Sequence, residues 1–149
     1  VHPNGIPYDV TKKMLPIINE EIEKVLSDVV DFQVFFEEDG NKLNVFIKHP
    51  KFDQRPIELG SGAEKTIAAT AIRLGLLNVS SLPIPNFAVL DEPATALDAE
   101  NMDGFIKILQ MYRENFETVF LISHLDSLKD IVDDEITIQK KDGYAFVDV

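Results

Sequence analysis

Apolar residues recur at helical spacing in three segments of the chain. The first is Asp9–Val29, where Pro16 predicts either a kink or an irregular first turn. The second is Ala63–Val79 and the third is Ala99–Phe116. Because each pattern forms an apolar stripe, each helix is expected to bury one face in the domain.

Short runs rich in β-branched and aromatic residues lie between these helices. Phe32–Glu37 and Lys42–Lys48 are joined through Asp39-Gly40, which predicts an antiparallel hairpin. Phe87–Leu90 and Thr118–Ile122 are short, mostly apolar runs, and both are predicted to be core strands.

The remaining segments complete a single predicted domain. Pro50–Pro56 is predicted to be a loop, and Leu125–Ile131 a short helix. Glu135–Gln139 and Tyr144–Val149 flank Asp142-Gly143 and are predicted to form a closing strand pair. This order of elements indicates an α/β fold with α+β features: a mixed sheet, flanking helices and a peripheral antiparallel hairpin.

Composition narrows the class of protein. Of the 149 residues, 45% are hydrophobic and 27% are charged, which is typical of a globular domain. No apolar run approaches the ~20 residues that a membrane helix needs, so no membrane partner is expected. The chain has no cysteine, which is compatible with a reducing cytoplasm, or with the nucleus if the source is eukaryotic.

The net charge of −12 argues against a general binder of nucleic-acid backbones, which needs clustered Lys and Arg. Two sparse basic clusters remain, and both are predicted to be solvated loop charges. They consist of Lys48, His49, Lys51 and Arg55, and of Lys140 and Lys141.

Two adjacent carboxylates, Asp91 and Glu92, follow the predicted strand Phe87–Leu90. Open α/β sheets place ligands at the carboxyl ends of their strands. One carboxylate there can hold a magnesium ion, while a second can orient a water molecule for attack on a phosphoryl group. The structural alternative is that both residues only cap the strand and the next helix.

Small residues precede the second predicted helix, in the segment GSGAEKT that begins at Gly60. Such a loop presents free backbone N–H groups and suits an anion, although Ser61 could instead serve only as an N-cap. The segment is not a P-loop, because Glu64 stands where a P-loop has Gly before its Lys. Lys65 is the only Lys followed by Ser or Thr, so the chain contains no P-loop elsewhere.

Three segments in order make a family resemblance specific. GSGAEKTIAATAIRLGLL, FAVLDEPATALD and VFLISH resemble the signature loop and helix, the Walker B strand with its D-loop, and the switch histidine of an ABC-class ATPase head. With the early helix and hairpin, they most resemble the C-terminal lobe of the SMC-like, SbcC-type recombination and repair ATPases. In that family the P-loop lies in an N-terminal lobe beyond a long coiled coil, so its absence here is expected.

The resemblance implies ATP and Mg²⁺ as cofactors and a role for each matching residue. Asp91 would hold the metal through water, and Glu92 would polarise the attacking water. His124 would contact the γ-phosphate, although alone it could be an ordinary strand-end residue. Arg73 is predicted to form a structural ion pair.

A second set of matching residues would act on nucleotide held by the opposite head. Asp98 would belong to the loop that communicates across the dimer. The signature segment would bind the γ-phosphate, and it comprises Ser61, Gly62, Ala63 and Glu64.

The chain departs from the family pattern near these residues. Ala63 stands where the signature usually has a second Gly, and Gly60 where a larger residue is frequent. Glu64 stands where Gln or Glu occurs, and Ala96 where the D-loop often has Ser. No charged catalytic group is lost. Ala63, in place of Gly, bears on how closely a phosphate can approach the loop.

The resemblance also implies partners. These are an N-terminal P-loop lobe, a second ATPase head, an Mre11-type nuclease, and DNA through the full complex. ATP would be hydrolysed between two heads, and this chain alone would be nearly inactive. The alternatives are a cohesin- or condensin-like chromosome-organising head, an ABC transporter nucleotide-binding domain, and a head that serves chiefly as an ATP-gated clamp.

Overall fold

The computed structural model describes residues 6–39 and 42–148. Gly40, at the predicted hairpin turn, lies outside these ranges. Two 3₁₀ helices, Ile57–Leu59 and Asp126–Ile131, accompany the other elements. Those elements are α1 (Ile6–Leu26), β1 (Gln33–Asp39), β2 (Lys42–Lys48), β3 (Arg55–Pro56), α2 (Gly62–Val79), β4 (Phe87–Asp91), α3 (Ala99–Asn115), β5 (Thr118–Ile122), β6 (Thr137–Lys141) and β7 (Tyr144–Asp148).

Helix α2 packs against both other helices at the centre of the core. Its buried residues include Ile67, Ala71 and Leu74, at the spacing that the sequence predicted. Gly75 lies against α1, where a Cβ atom would come within 2.9 Å of Ile22 Cγ1. On the other side, the Tyr112 hydroxyl of α3 donates a hydrogen bond to the backbone of α2. The other large members of this core are Leu26, Ile47, Phe105 and Ile108.

The predicted hairpin of β1 and β2 is present and gains a third strand. β1 and β2 pair antiparallel, and β3 adds to β2 within a segment that was predicted to be a loop. Asn19 of α1 holds the hairpin through both polar groups of Phe36, since its side chain donates to the Phe36 carbonyl and accepts from the Phe36 amide. The hairpin is therefore attached to α1 by a specific pair of hydrogen bonds.

The strands β4 and β5 form a parallel pair that is buried on one face only. Leu90 is buried, and alternate residues pack against the core. The prediction of core strands was wrong for the other face, where Phe87, Val89, Phe120 and Ile122 are each at least half exposed. Strands with two apolar faces are typical of sheets covered on both sides, and the described residues cover one side.

The predicted α/β fold is confirmed, and its strands divide among three small sheets. The closing pair, β6 and β7, is antiparallel. Asp142 and Gly143 have φ values of 51° and 85°, which is the left-handed backbone that a two-residue hairpin turn requires. Among the residues described, no helix has both the length and the apolar character needed to span a membrane.

Gly75→Ala is expected to destabilise the fold by about 1–3 kcal/mol, because the new methyl group would overlap Ile22 in a packed core. In an exposed helix the same change stabilises by up to ~1 kcal/mol. The free energy of unfolding in urea measures the effect, and an unchanged or higher value would contradict the close packing of α1 on α2.

Candidate functional site

The carboxyl end of β4 carries the two predicted acidic residues. Asp91 is the last residue of the strand and its side chain is exposed. The Glu92 amide donates to the Ile122 carbonyl at 2.8 Å, so the pairing with β5 continues one step beyond β4. Glu92 has φ 45°, a left-handed conformation that costs a non-glycine residue free energy.

Glu92 and His124 are in contact although they are far apart in sequence. His124 Nδ1 lies 3.0 Å from both carboxylate oxygens of Glu92. Because an ionised carboxylate can only accept, Nδ1 carries the proton in this contact. Nε2 then has no hydrogen-bond partner among the described residues, and the His124 side chain is 68% exposed. The pair thus presents an imidazole and a carboxylate to one open surface.

The loop before α2 is closed by a reciprocal capping arrangement. Ser61 Oγ accepts a hydrogen bond from the Glu64 amide at 3.2 Å, and the Ser61 amide donates to Glu64 Oε2 at 2.6 Å. Ser61 is thus an N-cap, as the structural interpretation predicted, while its side chain remains exposed. A capped N-terminus of a long helix retains further N–H groups and a dipole that attract anions.

The loop before α2 also touches the turn that follows Glu92. A Cβ atom on Gly62 would lie 3.0 Å from the Ala96 Cβ atom, so glycine permits this close approach. Ala63 is buried behind the loop. The next acidic residue, Asp98, is the N-cap of α3 and accepts hydrogen bonds from the Asn101 amide and side chain.

Glu64 connects the loop to two residues of the sparse basic cluster, His49 and Arg55. His49 Nε2 lies 2.6 Å from Glu64 Oε1, and Arg55 Nη2 lies 2.8 and 3.1 Å from the two carboxylate oxygens. The prediction that His49 and Arg55 are solvated loop charges was therefore wrong. The capping spacing Ser-x-x-Glu is visible in the sequence, but the two basic partners come from the residue after β2 and from strand β3.

No salt bridge of Arg73 occurs among the side chains that the structure describes, and its predicted structural ion pair stays a prediction. Arg73 lines an open groove of about 770 Å³ together with Asp91, Val89 and Tyr112. Burial raises the pKa of Tyr112, and the charge of Arg73 partly opposes that effect.

The structure thus gathers the predicted residues at two adjoining places. Asp91, Glu92 and His124 lie at the carboxyl ends of β4 and β5, with Glu92 and His124 in contact. The signature-like residues Ser61, Gly62, Ala63 and Glu64 form the start of α2, which reaches the first place through Ala96.

Several curated proteins are similar to this chain in sequence. An uncharacterized protein of Acanthamoeba polyphaga mimivirus is 32% identical over 158 residues, which cover 95% of this chain and 12% of that protein. A putative ABC transporter ATP-binding protein of Pyrococcus abyssi is 35% identical over 94 residues, which cover 63% of this chain and 33% of that protein. The DNA double-strand break repair Rad50 ATPase of Pyrococcus abyssi is 26% identical over 135 residues, which cover 89% of this chain and 15% of that protein.

Solved structures agree with the predicted fold. A chain from work on ATP-driven dimerization and DNA-stimulated activation of SMC ATPases has a TM-score of 0.78 and 17% identity, covering 93% of this chain and 86% of that one. The Pyrococcus furiosus Smc head bound to the C-terminal domain of ScpA has a TM-score of 0.74 and 18% identity. The match covers 93% of this chain and 36% of that one. The chain has the fold of an SMC ATPase head.

These similarities concern part of each relative. The chain spans 12%, 33% and 15% of the length of the three curated relatives. No protein-family model matches it. The sequence similarity is thus to parts of ABC-type and Rad50 ATPases, and the structural likeness is to SMC heads.

The contacts of the Glu64 carboxylate predict how the stability of the fold changes in acid. Burial alone would raise the pKa of Glu64, but bonds from the Ser61 amide and His49, together with the charge of Arg55, hold its pKa at about 2, below the ordinary 4.5. Because the folded pKa is depressed, the stabilisation is fully present above pH 4.5 and is lost as the pH falls towards 2.

Glu64→Gln should therefore cost about 1–2 kcal/mol of stability at neutral pH and should flatten the loss of stability below pH 4.5. Urea unfolding at a series of pH values measures both effects. Glu114→Gln, which removes an exposed carboxylate from α3, is the matched control. Identical pH profiles for the two variants would contradict the assigned role of Glu64.

Proposed function

We propose that this chain is the C-terminal lobe of an ATPase head that binds and hydrolyses ATP between two heads. The observation that carries the proposal is the contact of Glu92 with His124, next to Asp91, at the carboxyl ends of two parallel strands. A carboxylate for metal, a carboxylate for water and an imidazole are the groups that phosphoryl transfer to water requires.

The donor set fits magnesium. Asp91 is exposed at the carboxyl end of β4 and would be the carboxylate that this chain supplies. Magnesium in phosphoryl-transfer sites is commonly held by one or two carboxylates, with substrate phosphates and waters completing the octahedron. When bound, the ion would neutralise charge that develops on the transferred phosphoryl group.

Glu92 and His124 would divide the remaining work. Glu92 would accept a hydrogen bond from the attacking water and orient it toward the γ-phosphorus. His124 would face the γ-phosphate through Nε2, while Glu92 accepts its Nδ1 proton and fixes the orientation of the ring. Glu92 follows β4 directly and His124 lies two residues beyond β5, so the parallel pair of strands would position both.

The rest of the site would come from a P-loop lobe and from a second head. A P-loop lobe would cover the apolar face of β4 and β5, whose exposed members include Phe87 and Phe120. The N-terminus of α2, with Ser61 and Gly62, would meet nucleotide held by a second head. Asp98 would contribute to the contact between heads.

For the biological role we propose ATP-dependent engagement of a DNA double-strand break repair and recombination complex with an Mre11-type nuclease. Similarity to the Rad50 ATPase over 89% of the chain supports this role. A chromosome-organising head is the second candidate, favoured by the structural likeness to SMC heads. The ABC transporter alternative rests on similarity over 63% of the chain. Co-purification with a nuclease would favour the first role, and co-purification with a kleisin-like subunit the second.

Glu92→Gln in a head completed by the P-loop lobe should lower ATP turnover at least ~100-fold, since it removes the proposed base. ATP binding should persist, and heads should accumulate as dimers in size-exclusion chromatography with ATP. Glu114→Gln is the matched control and should turn over normally. Turnover retained by Glu92→Gln would exclude the proposed role of Glu92.

This chain without a P-loop lobe should show no saturable heat when titrated with Mg²⁺ and ATP at micromolar concentration in calorimetry. The physical reason is that the backbone cradle for the phosphates would lie in the other lobe. Adding that lobe should restore binding. Tight, stoichiometric binding by the chain alone would argue against a split site.

A further inference from the structure

A compact charged cluster lies behind the loop that precedes α2. It joins His49, which follows β2, Arg55 on β3, and Glu64 in the first turn of α2. The His49 ring is held by the ring of Phe32, at a centroid distance of 5.3 Å. The Glu64 side chain is only 13% exposed, so the cluster is a formed element of the fold rather than a surface ion pair.

The cluster acts on the loop through a single carboxylate. Glu64 Oε2 accepts from the Ser61 amide at 2.6 Å and also from Arg55 at 3.1 Å. Movement of Glu64 would therefore move Ser61. Since the hairpin is in turn attached to α1 by Asn19, the loop is connected to the body of the domain through the hairpin.

The cluster also resolves an electrostatic conflict. An uncompensated carboxylate at the N-terminus of α2 would repel a phosphate that approaches the same N–H groups. Arg55 supplies the opposite charge at hydrogen-bond distance, and His49 supplies a further donor. Arg55 Nε is buried and has no hydrogen-bond partner among the described residues.

We propose that His49 and Arg55 are positioning residues for the phosphate-binding loop, acting through Glu64. They hold the carboxylate that orients Ser61, and they cancel its charge so that the loop can accept the γ-phosphate of nucleotide on the opposite head. This inference rests on the proposed function, because it assigns a task to the same loop.

The test uses the assembled head, with this chain and the P-loop lobe together. Arg55→Ala should raise the ATP concentration for half-maximal head association, and the KM for ATP, about tenfold, the loss typical of a hydrogen bond to a charged group. The kcat at saturating ATP should stay within about twofold, because Arg55 does not touch the reacting atoms. His49→Ala should act in the same direction by about threefold.

A double variant separates positioning by charge from a merely structural role. Neutral Gln keeps the capping arrangement and needs no counter-charge. Arg55→Ala combined with Glu64→Gln should therefore bind ATP better than Arg55→Ala alone. If both Arg55→Ala forms are equally impaired, or if the double variant is worse, the charge-cancelling role is overturned.

Matched controls guard against unfolding. Arg113 lies on α3 and forms an exposed salt bridge with Asp133. Arg113→Ala removes this salt bridge and should leave ATP-dependent association unchanged. Arg55→Lys keeps the charge and should fall between wild type and Arg55→Ala, with thermal melts confirming that each variant folds. A Lys variant as impaired as the Ala variant, while folded, would reject charge as the cause.

Ser61→Arg distinguishes failure of this inference from failure of the proposed function. If Ser61→Arg abolishes ATP-dependent association while Arg55→Ala and His49→Ala have no effect, the positioning role is wrong and the proposed function stands. If Ser61→Arg has no effect either, the loop does not bind nucleotide and both proposals fall.

Discussion

The packing of α2 between α1 and α3 is the constraint on which the candidate site depends. Gly75 allows α1 to approach at backbone distance, and the Tyr112 hydroxyl ties α3 to the Thr70 carbonyl on α2. With the helix held on both sides, its N-terminus has one position. That position brings Gly62 against Ala96, and so joins the helix start to the turn that carries Glu92.

The site is open on the side where an ATPase would need further protein. The same two strands that carry Asp91, Glu92 and His124 expose an apolar face, which water contacts only at a cost in free energy. Large exposed apolar patches generally mark interaction surfaces. An SMC-head fold, and a sheet face that the described residues leave exposed, both fit the proposed lobe of a larger head.

Electrostatics in this acidic chain is organised locally. The net charge of −12 says little about the candidate site, because the deciding contacts are short and specific. Glu64 is held ionised by Ser61, His49 and Arg55, whereas Glu92 is paired with one imidazole at the surface. The first arrangement shapes a loop, and the second leaves a carboxylate accessible to solvent and ligand.

The sequence by itself determined the elements and the acidic motif. Periodicity located α1, α2 and α3, and Thr118–Ile122 was predicted with its observed bounds, because local spacing and turn residues carry that information. Only the tertiary structure decided that Glu92 meets His124, that His49 and Arg55 hold Glu64, and that one face of β4 is open. Those facts depend on contacts between residues distant in sequence and on which surfaces other elements cover, and neither is written in a local pattern.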